Sequence, residues 1–406
     1  MQKYKYQLLD TPLILLVISL FSIGIIAVFS ATHTVGMDNP NYFSKQLILG
    51  IAGLAIMIIM AFIPFKLIQR SSYLFYGLSL FLLVVVLFFG SRGFGAERWL
   101  AIGPLKLQPS ELAKLATIMA VASYLSRTDV NANQAKNLVV SVAFFIVPFL
   151  LIAKQPDLGT SLVFIILCLP MLYWAGLNWF YMFIFLTPAL TMLLSFSFLA
   201  FLIWMIFISS VLIISRRKPI ILVAVFLLHI VVGLVTPVLW SQLKPYQKQR
   251  ILTFANPEAD PKGSGYQIIQ SKVAIGSGGI WGKGFLEGSQ TQLRFLPAQH
   301  TDFIFSVIGE EWGFVGVAVI VLLFITLILY LIYLAGIVRS LYASLVITGI
   351  TTVLFFHIVV NIGMTIGLAP VTGLPLPFIS YGGSFLLSVF IMMGIVLNFS
   401  VNRFSN

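Results

Sequence analysis

The residues best suited to chemistry are concentrated between Lys244 and Asp302. That stretch carries seven cations (Lys244, Lys248, Arg250, Lys262, Lys272, Lys283 and Arg294) and ends in His300-Thr301-Asp302. An apolar run long enough to span a bilayer flanks it on each side. A carboxylate at the mouth of a basic cavity can accept a proton from a substrate hydroxyl. An aspartate at the start of an apolar helix can equally be an N-cap, and the sequence leaves both readings open for Asp302. A second constellation is Gln108-Pro109-Ser110-Glu111 followed by Lys114. Pro109 suits a first helical turn, and Glu111 and Lys114 share a face at the i, i+3 spacing that lets them pair. A lone charge at mid-bilayer costs about 2.5–3.5 kcal/mol, so a paired, cavity-facing placement near a helix end is expected, with helix packing as the alternative role.

Other groups carry weaker signals. The run Ala274-Ile-Gly-Ser-Gly-Gly-Ile-Trp-Gly-Lys-Gly284 resembles a phosphate loop but fails on spacing, because Ser277 stands six before Lys283 and Gly284 replaces the magnesium-binding Ser/Thr. Trp281 occupies the third glycine of a dinucleotide fingerprint, so no nucleotide is expected. Asp157 in Gln155-Pro-Asp-Leu-Gly-Thr-Ser161 reads first as a helix cap. Glu310 and Glu311 lie in the span that begins at Asp302, where helix-face arithmetic puts Glu310 about 80° from Asp302 and Glu311 opposite it, with packing and proton coupling both open as roles. The four histidines, His33, His229, His300 and His357, fit no metal spacing. The single cysteine, Cys168, reads as a small apolar core residue.

These residues must be positioned by a membrane bundle. Apolar residues make up 60% of the 406-residue chain and charged ones 9%, which excludes a water-soluble fold. The pattern predicts one all-α polytopic domain over 1–406, with spans near 11–31, 45–64, 72–90, 108–126, 138–154, 158–176, 180–197, 199–215, 219–240, 303–333, 341–366 and 379–400. The first run exceeds a signal-peptide core and is read as a retained span, with no soluble domain expected before or after the bundle. With the N-terminus inside, Lys66, Arg70, Arg127, Lys136, Arg216-Arg217-Lys218, Arg339 and Arg403 fall in cytoplasmic connections, as the positive-inside rule asks. The C-terminus is then also cytoplasmic, and a large loop, 241–302, lies outside together with Arg92, Arg98 and Lys106. Clusters of Gly and Pro at 93–109, 257–288 and 368–383 share that outer side and predict loops or broken helices around one cavity. The net charge of +12 is explained by membrane topology and this loop, not by nucleic acid.

Six ordered motifs resemble the signatures of the SEDS family, the shape, elongation, division and sporulation proteins. They are Gln108-Pro-Ser-Glu111-x-x-Lys114, Gln155-Pro-Asp-Leu-Gly-Thr-Ser161, Tyr246-Gln-Lys-Gln-Arg250, Asp260-Pro-x-Gly-x-Gly-Tyr-Gln267, Leu296-Pro-x-x-His-Thr-Asp-Phe303 and Pro375-Leu-Pro-Phe-Ile-Ser-Tyr-Gly-Gly-Ser384. Within the family, Gln290-Thr-Gln-Leu-Arg-Phe-Leu-Pro297 is more similar to the elongation branch, RodA, than to the division branch, FtsW.

The resemblance implies a peptidoglycan glycosyltransferase of the bacterial cytoplasmic membrane that polymerises lipid II on the outer face. It implies Asp302 as the essential carboxylate, Glu111 and Lys114 as a supporting pair, and a divalent cation, Mg or Mn, that Asp302 helps hold. Arg98, Gln108, Lys244, Lys248, Arg250 and Lys272 are the candidate substrate-binding residues, with Arg250 and Arg98 ranked first for gripping diphosphate. Expected partners are undecaprenyl-linked glycan, a class B penicillin-binding protein and the elongation machinery. The chain departs from the family's ten spans at 177–218, which reads as an inserted helical pair. A lipid II transporter and a non-catalytic scaffold are the rival readings.

Overall fold

The structure is a computed structural model that describes residues 9–33, 41–93, 96–102, 105–155, 157–215, 219–243, 248–249, 252–254, 256–259, 265–293 and 295–403. The N-terminal half holds α1 (Thr11–Thr32), α2 (Tyr42–Ala61), a short α3 (Phe65–Arg70), α4 (Ser72–Phe89), α5 (Pro109–Leu125), α6 (Ala135–Ala153) and α7 (Leu158–Trp174). The chain continues through α8 (Trp179–Leu194), α9 (Phe198–Ile214), α10 (Pro219–Gln242), α11 (Tyr266–Ser277), the one-turn α12 (Ser289–Gln292), α13 (Ile304–Ile337), α14 (Leu341–Thr365) and α15 (Gly383–Val401). A helix occurs at each of the twelve predicted spans. Eight of them, α1, α2, α4, α6, α10, α13, α14 and α15, are long and apolar enough on their own to cross a membrane. The chain is a multi-pass membrane protein.

Local sequence sets the helix ends. Asp10 accepts from Leu13 N at the start of α1, Asn178 from Phe180 N at α8, and Ser340 from Ala343 N at α14. Buried residues concentrate in α5, α14 and α15, whereas α2, α4 and α10 keep mostly outward-facing apolar side chains. The central helices are therefore the ones rich in Ala, Ser, Thr and Gly, which allow close approach where lipid gives no hydrophobic drive. α15 packs along α2, α4 along α5, α13 along α14 and α1, and α11 lies across α13.

One predicted loop is a sheet. Residues 91–107, expected as loop or broken helix, form an antiparallel meander of β1 (Ser91–Gly93), β2 (Ala96–Ile102) and β3 (Leu105–Leu107). Ser91 opposes Trp99, with a register shift before Arg92, and Leu100 opposes Leu107. Strand pairing satisfies the backbone groups that a loop at the membrane surface would leave to water.

α8, α9 and α10 form a unit of their own around Ile208, Leu212 and Val225. Inside it His229 lies between Thr187 Oγ1 (3.2 Å from Nε2) and Thr191 Oγ1 (2.6 Å from Nδ1), and Trp204 Nε1 donates to Thr191. Among the described residues the unit's main helix neighbour is α7.

Candidate active site

Asp302 is placed by a turn, not by a helix. Thr301 N and Asp302 N both donate to Ala298 O, and the N-cap of α13 is Phe303, which makes no side-chain cap bond. The capping reading of Asp302 therefore does not hold. Asn361 Nδ2 on α14 donates to the Asp302 carbonyl (3.0 Å) and to the Leu374 carbonyl (2.8 Å). The Asp302 carboxylate faces the same segment, with Oδ2 3.5 Å from where a Cβ on Gly373 would stand. Two residues upstream, the His300 carbonyl accepts from Tyr381 N (2.9 Å), and the His300 ring stacks on Tyr42 at 4.5 Å. Tyr381 closes that aromatic group edge-on against Tyr42, and burial, then Tyr42, push its phenol above the ordinary range.

Lys272 enters from the other side. Its helix, α11, is anchored by Ser271 Oγ, which meets Ser306 Oγ on α13 and the Thr365 carbonyl on α14, each at 2.6 Å. The Lys272 chain then runs along Gly367, whose added Cβ would lie 2.7 Å from Nζ. This lysine thus borders the loop 366–382 that also carries Gly373.

Beneath the loop lies the predicted ion pair. Lys114 Nζ is 2.8 Å from Glu111 Oε2, and Lys114 is fully buried, so the pair is enclosed by helices and does not line an open cavity. The third member is His357 on α14, whose Nε2 is 3.2 Å from Lys114 Nζ and whose Nδ1 is 3.1 Å from the Pro375 carbonyl. A carbonyl only accepts, so Nδ1 carries the proton and Nε2 receives the lysine. Sequence reasoning set His357 aside as a scattered histidine; its i, i+4, i+8 spacing with Asn361 and Thr365 was the available signal.

A polar group at the start of α7 flanks the loop. Asp157 caps α7 by accepting from Thr160 N (3.2 Å), as its motif predicts. Its other oxygen, Oδ2, is 3.6 Å from Arg98 Nη1 on β2 and 3.5 Å from Gln108 Nε2. Gln108 N donates to Ser384 Oγ (3.3 Å), tying β3's exit to the start of α15. Gly159 lies under Thr372, where any Cβ would approach the Thr372 carbonyl to 2.7 Å. Arg98 and Gln108 therefore border one side of the 366–382 loop, and Asp302 and Lys272 the other.

The glycine-rich run is structural. Gly313 interrupts α13 with φ 63° and ψ −161°, which leaves helical groups without their usual partners. The run supplies them: Lys283 N and Gly284 N donate to the Glu310 and Glu311 carbonyls, while Phe314 N and Val315 N donate to the Gly279 and Ile280 carbonyls. The two backbones are so close that a Cβ on Gly313 would stand 2.3 Å from Gly282 N. Glu310 then binds Lys283 Nζ (2.7 Å), Gln290 N (2.9 Å) and Thr291 N and Oγ1, pinning α12 in place. Glu311 bonds Ser30 of α1. The angular estimate for these glutamates does not apply, because Asp302 precedes the helix. A groove of about 500 Å³ between α1 and α13, lined by Ile23, Trp281, Glu311, Trp312, Val315 and Val319, is separate from Asp302.

Of the remaining candidate residues, Lys248 Nζ donates to the Ser241 carbonyl (2.9 Å) at the end of α10. Lys244 and Arg250 lie outside the described residues. Among the described residues no three of His, Cys, Asp and Glu gather as a metal cluster.

The fold and site define a polytopic membrane protein with a polar layer at one end of its helices, in which Asp302 and Lys272 lie against one loop and Arg98 pairs with Asp157 beside it. Residues 11–209 and 185–404 match the FtsW/RodA/SpoVE family, described as cell cycle proteins, and the chain belongs to that family. It is 36% identical to the peptidoglycan glycosyltransferase MrdB of Escherichia coli over 397 residues, 97% of this chain and 94% of the relative. It is 31% identical to the peptidoglycan glycosyltransferase RodA of Treponema pallidum over 427 residues, 97% of this chain and 98% of the relative. Its structure is similar to a chain of a peptidoglycan synthase complex that coordinates polymerisation and crosslinking, at a TM-score of 0.75 and 28% identity, covering 98% of this chain and 99% of that one.

Proposed function

We infer that the chain is a peptidoglycan glycosyltransferase of the elongation branch, polymerising lipid II, with Asp302 as general base. The 4-hydroxyl of one disaccharide attacks the anomeric carbon of another. The new glycosidic C–O bond forms as the bond to undecaprenyl pyrophosphate breaks, and the hydroxyl proton passes to Asp302. The observation that carries this reading is where Asp302 stands: half-buried on the turn before α13, off the helix cap, fixed by its backbone carbonyl to Asn361 of α14 and with its carboxylate facing Gly373 of the 366–382 loop. Lys272 and Arg98 border the same loop and suit a diphosphate, Arg98 by its fork of donors.

A divalent cation fits this chain as a shared ion, because a single carboxylate plus substrate phosphates is a common way to bind Mg. Asp302 would hold it, and when bound it would neutralise charge on the leaving diphosphate. Such a site belongs on the outer face of a bacterial cytoplasmic membrane, with both termini cytoplasmic. The partner proposed is a class B penicillin-binding protein within the elongation machinery. The 177–218 segment, which holds α8 and α9, is proposed as an inserted helical pair.

A transporter needs an opening on both faces. At the far end, Asn398 Nδ2 donates to the carbonyls of Met60, Ala61 and Ile63, and Asp10 accepts from Tyr330 and Ser400, so the structure is closed there; a transporter would in addition keep its activity without the Asp302 carboxylate. The test is lipid II polymerisation by the purified chain. Asp302→Asn, folded and at normal level, should lose about 10²- to 10⁴-fold in rate; an unchanged rate would remove Asp302 from the mechanism, and a scaffold would show no polymerisation in either protein.

A further inference from the structure

Polar side chains on α14 divide into two sets. In its first half, Thr348, Thr351 and Thr352 bond back to carbonyls of their own helix, those of Ser344, Ile347 and Thr348. Such bonds satisfy the hydroxyl and reach nothing else. Toward its end the buried His357 and Asn361 lie one turn apart, and each side chain joins α14 to other segments, whereas the Thr365 hydroxyl again bonds back, to the Ile362 carbonyl. His357 joins Lys114 of α5 to the Pro375 carbonyl, and Asn361 joins the Leu374 carbonyl to the Asp302 carbonyl. The Thr365 carbonyl receives Ser271 of α11, the helix that carries Lys272.

We propose that His357 and Asn361 are positioning residues for the glycosyl transfer: they hold Asp302 and the 373–375 segment in fixed register with the buried Glu111–Lys114 pair. This rests on Asp302 being the base. The segment they grip needs holding. Gly373 and Phe378 both have positive φ (73° and 64°), and Phe378 is a bulky buried residue in a conformation that persists only where its surroundings over-determine it. Consecutive carbonyls at 374 and 375 accept from residues one turn apart on one helix, so the loop is fixed at two points just beyond Gly373. The Glu111–Lys114 pair, fully enclosed, then acts on the reaction through His357 without touching substrate.

The experiment measures steady-state lipid II polymerisation by the purified full chain, with thermal stability and monodispersity recorded for each variant. His357→Phe keeps a ring and loses both bonds, Asn361→Leu keeps volume and loses both, and His357→Asn keeps a donor for Pro375. Thr351→Val, which alters only a bond within α14, is the control. The expected result is a fall in kcat of about 100-fold for His357→Phe and Asn361→Leu, the scale of a 1 Å misplacement. KM for lipid II should stay within about threefold, and His357→Asn, which keeps the donor to Pro375 and gives up the Lys114 contact, should recover part of the loss. If His357→Phe does not fold, His357→Asn and Asn361→Leu carry the test. Normal kcat in His357→Phe and Asn361→Leu while Asp302→Asn is inactive would overturn this inference alone. So would a loss confined to KM, or one tracking folded yield. Wild-type rate in Asp302→Asn would instead overturn the base assignment beneath it.

Discussion

The polar layer around Asp302 and the α8–α10 unit both bury polar side chains among apolar helices, yet they use them differently. In the unit, His229, Thr187, Thr191 and Trp204 bond only to one another and to their own helices. Around Asp302, His357 and Asn361 bond from α14 to loop or turn carbonyls, those of Pro375, Asp302 and Leu374, while Ser271 and Gln299 bond to carbonyls in other helices, those of Thr365 in α14, Ala31 in α1 and Thr291 in α12. The first network specifies which helices pack together. The second holds irregular backbone still at a membrane surface, which is the arrangement a preorganised site requires.

The sharpest way to break this contrast is to strand a charge. Lys114→Met leaves the Glu111 carboxylate enclosed without its partner and should destabilise the protein by about 3–5 kcal/mol. Glu111→Leu combined with Lys114→Met should recover most of that in a denaturation series, while leaving polymerisation impaired. Next comes Gly313→Leu, which drives a side chain into the Gly282 backbone at a position with positive φ. It should cost about 3 kcal/mol and release the 278–284 segment, seen as new protease sensitivity there.

Smaller effects are expected away from the layer around Asp302. His229→Phe should weaken α8–α10 packing by about 0.6–2 kcal/mol, the range for hydrogen bonds between membrane helices, with polymerisation unchanged. The smallest change is expected at Asp129. Its hydrogen bond from exposed Arg127 holds the carboxyl below its usual range, so any contribution is present at neutral pH and lost only as pH falls through that lowered value. Because both groups are exposed, Asp129→Asn should leave the melting temperature unchanged at neutral pH.

Much of this was legible before the structure. Apolar runs of bilayer length located the helices, and i, i+3 spacing located the Glu111–Lys114 pair, because both signals are local. The Asp157 cap was read from its motif for the same reason. What escaped depends on distant partners. The 91–107 meander was missed because strands this short carry little alternation, and Gly93 and Pro104 read as loop. The role of the glycine run escaped because its partner, the break at Gly313, lies about thirty residues on. His357 looked idle because its two partners, Lys114 and Pro375, sit on other elements. Lys244 and Arg250, read as substrate-binding, lie outside the described residues, and Lys248 is bonded to the end of α10.

The most direct test sets one residue from each region side by side. Purified wild type, Asp302→Asn and His229→Phe would be assayed together for lipid II polymerisation and for thermal stability. Chemistry confined to the layer around Asp302 predicts that Asp302→Asn keeps its melting temperature and loses polymerisation, while His229→Phe loses some stability and keeps its rate. Full activity in Asp302→Asn, or its loss in folded His229→Phe, would contradict the account.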